Sequence, residues 1–171
     1  MFGKLFLTGF ILLAAAASAQ IFAQEKEPEL NPVSWSIDIE KPLESLHQGD
    51  NFTAALDAKI ESGWHLYALE KIEGGPIPTK ISIADDASFE LGEIDFPPPI
   101  EVDDAAFGVT TKFYEDGVKF RLPIKVLENF ESGKSDLRIK IRFQTCNDQM
   151  CLPPKTVIVS RNSKQTSENN Q

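Results

Sequence analysis

Side chains that commonly do redox, acid–base or metal chemistry are scarce in this chain of 171 residues, which has two cysteines, two histidines and two methionines. The histidines, His47 and His65, lie far in sequence from the cysteines, Cys146 and Cys151. That spacing gives little support for zinc, whose sites draw three or four closely grouped ligands. Positive charge is also short, with 17 Lys and Arg against 26 Asp and Glu and a formal charge of -9. Such acidity argues against nucleic acid and against anionic membrane surfaces as partners. Beyond the first two dozen residues no apolar run approaches the roughly 20 residues of a membrane helix. No stretch there holds a convincing helical period, and no internal repeat is visible.

What is present begins with a leader. Lys4 precedes an apolar run from Leu5 to Ala17, and Ala17-Ser18-Ala19 fits a small-x-small cleavage site. We therefore expect a secretory signal peptide over 1–19, with the cut as late as Ala23, and no membrane insertion after cleavage. Loss of Lys4 with the leader would take the charge from -9 to -10. Residues 20–32 are expected to be a flexible segment and 33–160 a single domain, long enough for a core of useful size. The final stretch, 161–171, reads RNSKQTSENNQ and contains nothing to bury, so a disordered tail is expected.

Period-two alternation recurs along the domain. It runs through Trp35, Ile37 and Ile39, then Phe52–Ile60, then Trp64–Tyr67 after Ser62-Gly63. It resumes at Lys80–Ala84, at Phe89, Leu91 and Ile94, from Val118 to Val126, from Leu137 to Phe143, and at Thr156–Val159. Asp116-Gly117 reads as a hairpin turn. Phe96–Thr111 has weak periodicity, three consecutive prolines and the acidic run Glu101-Val102-Asp103-Asp104, which suits a passive connection or a functional loop equally. Many short strands at this spacing predict an all-β, two-sheet antiparallel sandwich.

The cysteines form a Cys-x4-Cys pair in a strand–loop–strand setting, Phe143-Gln-Thr-Cys146-Asn-Asp-Gln-Met-Cys151-Leu-Pro-Pro. No helix opens here to lower a thiol pKa. In an exported protein an oxidised pair is the default. A disulfide closing so short a loop stabilises by only about 2 kcal/mol in the chain-entropy account, so it is a poor staple. Three readings remain open: a reactive disulfide, a structural clip in a non-catalytic binding module, and a copper-handling module using Met150 as a soft ligand.

Three segments resemble the N-terminal periplasmic domain of the DsbD thiol:disulfide interchange family. The most specific is Phe143-Gln-Thr-Cys146 through Cys151-Leu-Pro-Pro-Lys-Thr156. The second is Gly63-Trp64-His65-Leu66-Tyr67, and the third is Asp103-Asp104-Ala105-Ala106-Phe107-Gly108 followed by Phe113-Tyr114. The resemblance spans about Val33 to Val159. It implies an immunoglobulin-like sandwich with its cysteines at one end, a periplasmic location, and thiol–disulfide exchange without cofactor or metal. It also implies that electrons arrive from a thioredoxin-like domain served by a membrane electron conduit and leave to oxidised periplasmic thiol proteins.

By the same resemblance Cys151 would form the mixed disulfide, Cys146 would resolve it and Phe107 would cap the pair. Tyr67 and His65 would flank the cysteines, with Asp104 or Asp103 nearby. The cysteine spacing is one residue shorter than in well-known members. His65 stands where an aromatic hydroxyl is expected, and Ala106-Phe107 where two aromatics are common. The chain shows no membrane or thioredoxin-like portion, so it is expected to act in trans. On a regular strand His65 points away from Trp64 and Leu66, and it is expected to join Tyr67 only if that strand bends.

Overall fold

The longest alternating segments build the first layer. The computed structural model describes residues 30–84, 87–105, 107–161 and 166–167. The expected leader, most of the 20–32 segment and most of the 161–171 stretch lie outside these residues. Strand β2 (Asn51–Ile60) pairs antiparallel with β8 (Gly117–Val126) from Asn51↔Lys125 to Lys59↔Gly117. Along β8 every second side chain is buried, from Val118 through Phe120, Leu122 and Ile124 to Val126. β1 (Val33–Ile39) lies on the free edge of β2, and β5 (Phe89–Leu91) on that of β8.

Pro123 sits inside β8, where a ladder normally needs every N–H. Its carbonyl accepts from Gly92 N, so the missing donor faces the side where the chain leaves β5. The ladder therefore loses little.

The opposing layer is strung on one extended stretch. β9 (Arg138–Phe143) pairs with β4 (Lys80–Ile83) on one side and β11 (Lys155–Ser160) on the other. After a single residue, Gln144, the same stretch becomes β10 (Thr145–Cys146) and starts a second ladder. That ladder runs β10, β3 (His65–Tyr67), β7 (Val109–Tyr114), β6 (Ile100–Asp104). Among the described residues the helical content is one 3-10 turn, Leu43–Ser45, and β12 (Thr166–Ser167) pairs with β11. The fold is the expected immunoglobulin-like antiparallel sandwich, with one layer divided into a core ladder and a site ladder.

Two sequence expectations change. Asp116-Gly117 is not a hairpin turn, because β7 and β8 belong to different sheets and do not pair. It is a tight corner between sheets. Asp116 takes φ 60°, Gly117 N–H donates to Glu115 O, and a Cβ at Gly117 would lie 2.8 Å from Ala58 O. Phe96–Thr111 is not an unstructured connection, since it holds β6 and the start of β7. β6 escaped notice because it is an edge strand exposed along almost its whole length, so it has no burial alternation to read.

Aromatic contacts join the pieces. Trp35 of β1 stacks on Phe120 of β8 at 6.2 Å and tilts against Phe143 of β9 at 5.4 Å. Tyr114, from the site ladder, meets Phe120 edge-on at 5.9 Å and donates a hydrogen bond to Pro97 O at 3.0 Å. Phe120 is fully buried and touches rings from both layers. Phe120→Ala should destabilise by about 3–5 kcal/mol, by loss of transfer energy and opening of a cavity. Urea unfolding of the oxidised protein measures this, and a loss below about 1 kcal/mol would mean that the two ladders are held together elsewhere.

Candidate functional site: a disulfide on the site ladder

Cys146 and Cys151 face each other across a tight hairpin and are joined as a disulfide, with their Cα atoms 4.0 Å apart. Asn147 N donates to Met150 O, and Leu152 N donates to Thr145 O, each at 2.9 Å. These bonds flank the cysteines, so the pair occupies a non-hydrogen-bonded position, where side chains of opposing strands come closest. The turn is braced further by Asn147, whose Oδ1 accepts from Gln149 N at 2.9 Å and Met150 N at 2.8 Å. Gln144 anchors the base of the hairpin. Its Oε1 accepts from Ile77 N at 2.9 Å and its Nε2 donates to Leu152 O at 3.3 Å.

The hairpin is thus closed by its own hydrogen bonds, and the disulfide adds little as a staple. The two cysteines differ in access. Cys146 is 4% exposed, whereas Cys151 is on the surface beside the exposed Met150.

The disulfide borders a cavity of about 310 Å³. Cys146 pairs with His65, Leu66 with Tyr114, and Tyr67 with Phe113. Residues two apart on a strand share a face. His65 and Tyr67 therefore both line the cavity from a regular β3, and no bend is needed. The conditional expectation for His65 failed on parity. Leu66, between them, is fully buried in the sandwich core.

The same parity separates the two aspartates. Asp104 lines the cavity beside Thr111, whose Oγ1 lies 3.4 Å from Asp104 Oδ2. Asp103 is exposed, accepts from Thr110 Oγ1 at 2.7 Å, and is not among the described lining residues.

Phe107 stands on the β6–β7 turn, lines the cavity and meets Tyr67 edge-on at 6.0 Å. The turn depends on Gly108, at φ +70°, whose N–H donates to Asp104 O at 2.7 Å. Ala106 lies outside the described residues. His65 stacks on Phe113 at 4.2 Å with 14° between the rings, and its Nε2 is 3.0 Å from Glu115 Oε1. On the opposite side of β7, Lys112 ties Glu101 of β6 at 3.3 Å to Glu70 at 2.6 Å. His47 pairs with Asp50 in a distant turn, and no metal-binding group of three or more His, Cys, Asp or Glu occurs among the described residues.

Residues 38–163 match the family model described as thiol:disulfide interchange protein DsbD, N-terminal. The chain belongs to this family. It is 32% identical over 72 residues to the thiol:disulfide interchange protein DsbD of Haemophilus ducreyi. That match covers 42% of this chain and 11% of the relative, so the chain spans only a small part of the relative's length. The fold is similar to the N-terminal periplasmic domain of ScsB from Proteus mirabilis, with TM-score 0.53 and 17% identity over 82% of this chain and 51% of that one. It is also similar to the reduced DsbD N-terminal domain of Neisseria meningitidis, with TM-score 0.50 and 14% identity over 82% of this chain and 96% of that one. Family membership and the joined cysteine pair together support thiol–disulfide exchange.

Sequence reasoning missed Glu115, Gln144 and Asn147 as parts of the site. Gln144 and Asn147 lie inside the cysteine motif, where sequence alone gives them no role. Glu115 had no local signal, because its partner is 50 positions away and only the β3–β7 pairing brings them together.

Burial pushes the Tyr67 phenol up to about 12, with a further push from the Asp104 carboxylate, and burial does the same for Tyr114. These are the only two tyrosines of the chain. The unfolded chain ionises both near 10 and the folded chain near 12, so the folded state binds more protons in between. Stability should be intact below pH 10 and fall as pH rises toward 12. Ultraviolet titration should detect no tyrosinate step near 10 until the protein unfolds, and a full step there in the folded state would refute the buried phenols.

Proposed function

We propose that this domain relays electron pairs between proteins of the periplasm through the reversible Cys146–Cys151 disulfide. A reduced thioredoxin-like partner, itself served by a membrane electron conduit, supplies them, and oxidised thiol proteins receive them. The observation that carries this reading is the asymmetric disulfide: Cys151 is exposed, Cys146 is buried, and the hairpin between them is closed without the bond. Opening the bond therefore need not disturb the sandwich.

In the loading half, a partner thiolate attacks Cys151 Sγ. The disulfide breaks and Cys146 leaves as a thiolate that takes up a proton. A second partner thiolate then attacks the mixed disulfide, freeing Cys151 and leaving the partner oxidised. In the delivery half, the Cys151 thiolate attacks a substrate disulfide. Cys146 then attacks Cys151 Sγ, which releases the reduced substrate and restores the starting bond. Two electrons move in each half.

Phe107 covers the Cys146 side of the pair against small thiols and yields to a docked partner. The carboxylates of Asp104 and Asp148, both on the cavity wall, disfavour a stray thiolate. A structural clip would need a reduction potential below about -300 mV, whereas a relay needs a higher one.

The direct test pairs Cys146→Ser with a thioredoxin-like domain whose single remaining cysteine is activated by thionitrobenzoate. A stable mixed disulfide should form through Cys151, and Cys151→Ser should give far less. No adduct from Cys146→Ser would overturn the reading. Phe107→Ala should speed reduction of the wild-type disulfide by glutathione several-fold, since exchange rate follows access to sulfur. Equal rates would remove the cap.

A further inference from the structure

Delivery needs a proton to leave the less accessible sulfur. Once Cys151 is tied to a substrate, Cys146 must become a thiolate before it can attack. Its surroundings oppose this. Cys146 is buried, and burial raises a thiol pKa. Asp104 and Asp148 line the same cavity, and each disfavours a second negative charge. Tyr67 also lines it, but its phenol is held protonated to about pH 12, so it can donate a hydrogen bond and cannot take the proton. No lysine or arginine is among the described lining residues.

One lining residue has the right chemistry. His65 is the direct cross-strand partner of Cys146, and directly opposite side chains have Cβ atoms about 4.5–5.5 Å apart. Its ring is held on two sides, by the stack on Phe113 and by Glu115 at Nε2. The carboxylate of Glu115 can only accept, so in the neutral ring Nε2 carries the hydrogen and Nδ1 keeps its lone pair. The same contact fixes the orientation of the ring. The charged groups that face His65 are Glu115, just past β7 and against the ring, and Asp104 from β6 and Asp148 from the hairpin turn, which line the same cavity.

We infer that His65 is the proton acceptor for the Cys146 thiol in the resolving step, with Glu115 as its positioning residue. The inference rests on the exchange reading above. The Cys146 proton passes to His65 Nδ1, and the thiolate attacks Cys151 Sγ. The Cys146–Cys151 bond forms as the bond from Cys151 to the substrate breaks. The substrate leaves as a thiolate and is reprotonated by the imidazolium or by water. In the loading half an imidazolium re-formed with a proton from solvent gives that proton to the departing Cys146.

The test is stopped-flow reaction of the reduced full chain with dithiobis(nitrobenzoate), followed by release of the coloured thiolate. The first release is bimolecular attack by Cys151, and the second is the concentration-independent attack by Cys146. His65→Phe keeps a flat ring for Phe113 but cannot take a proton. It should slow the second phase about tenfold or more near pH 7 and leave the first within about twofold, in line with loss of a general base. The two proteins should converge at strongly alkaline pH, where hydroxide removes the Cys146 proton without help from a neighbouring base. Glu115→Gln should slow the second phase by a smaller factor. An unchanged second phase, or one slowed equally at every pH, would overturn the role of His65. A wild-type protein that never gives a second release would instead remove the exchange reading, and this inference with it.

Discussion

The stretch Arg138–Cys146 carries two obligations, and the rest of the molecule is arranged around them. Its first part, β9, is the central strand of a core ladder, with Ile139 and Ile141 fully buried. Its last two residues begin the site ladder and end on the less exposed sulfur. Gln144 stands at the change of ladder and spends its amide on the loop at Ile77 and on Leu152, just past the second cysteine. Core packing therefore fixes where Cys146 sits, and the hairpin hydrogen bonds fix where Cys151 sits relative to it. A disulfide held this way can open and close against a rigid frame. That is what exchange requires, because attack must come in line with the sulfur–sulfur axis.

The site ladder also explains why a small sheet extension can hold a reactive bond without leaving it open. One of its faces packs inward through Leu66 and Tyr114, while the other carries His65, Tyr67, Phe113 and Thr111 around the cavity. On the cavity face the ladder packs only on its own small cluster of Tyr67, Phe113, Cys146 and Phe107. It depends on Tyr114 against Phe120, and on Lys112 bridging β6 to the segment after β3. The bridge is exposed and contributes little stability. Its effect is geometric: it ties down the edge strand that leads into the Phe107 turn, from the side opposite the cavity.

Legibility in the sequence followed the strength of the local signal. The strands with one buried face, β1, β2, β8, β9 and β11, announced themselves by alternation. The cysteine block was readable because its spacing, polar loop and trailing prolines are compact. β6 was not, since an acidic edge strand such as Ile100–Asp104 buries nothing and reads as loop. Asp116-Gly117 was misread because a tight corner between sheets and a hairpin turn use the same residue types, and only strand pairing tells them apart. His65 and Tyr67, at i and i+2, share one face of a regular β3, so their meeting at the cavity needs no bend. The choice between Asp103 and Asp104 needed the β6–β7 register, which no local pattern contains.

An apparent conflict in the site's electrostatics has a consistent physical resolution. A cavity lined by two carboxylates is a poor place to make a thiolate, yet exchange needs one. The carboxylates act on every charged species in the cavity, and their sign matters differently for each. They raise the cost of a bare thiolate, which favours a protonated, unreactive pair between encounters. A neighbouring thiolate and imidazolium together carry no net charge, so the carboxylates act on such a pair far more weakly. Proton transfer from Cys146 to His65 replaces a neutral pair by a thiolate–imidazolium pair, so the opposing effects largely cancel across that step. What remains is the local attraction between the two new charges and the contact of the ring with Glu115. An acidic wall thus suppresses thiolate formed by loss of a proton to bulk water and tolerates thiolate formed by transfer to the neighbouring strand. Under this arrangement the imidazole opposite Cys146 supplies the route to a thiolate that the acidic wall otherwise closes.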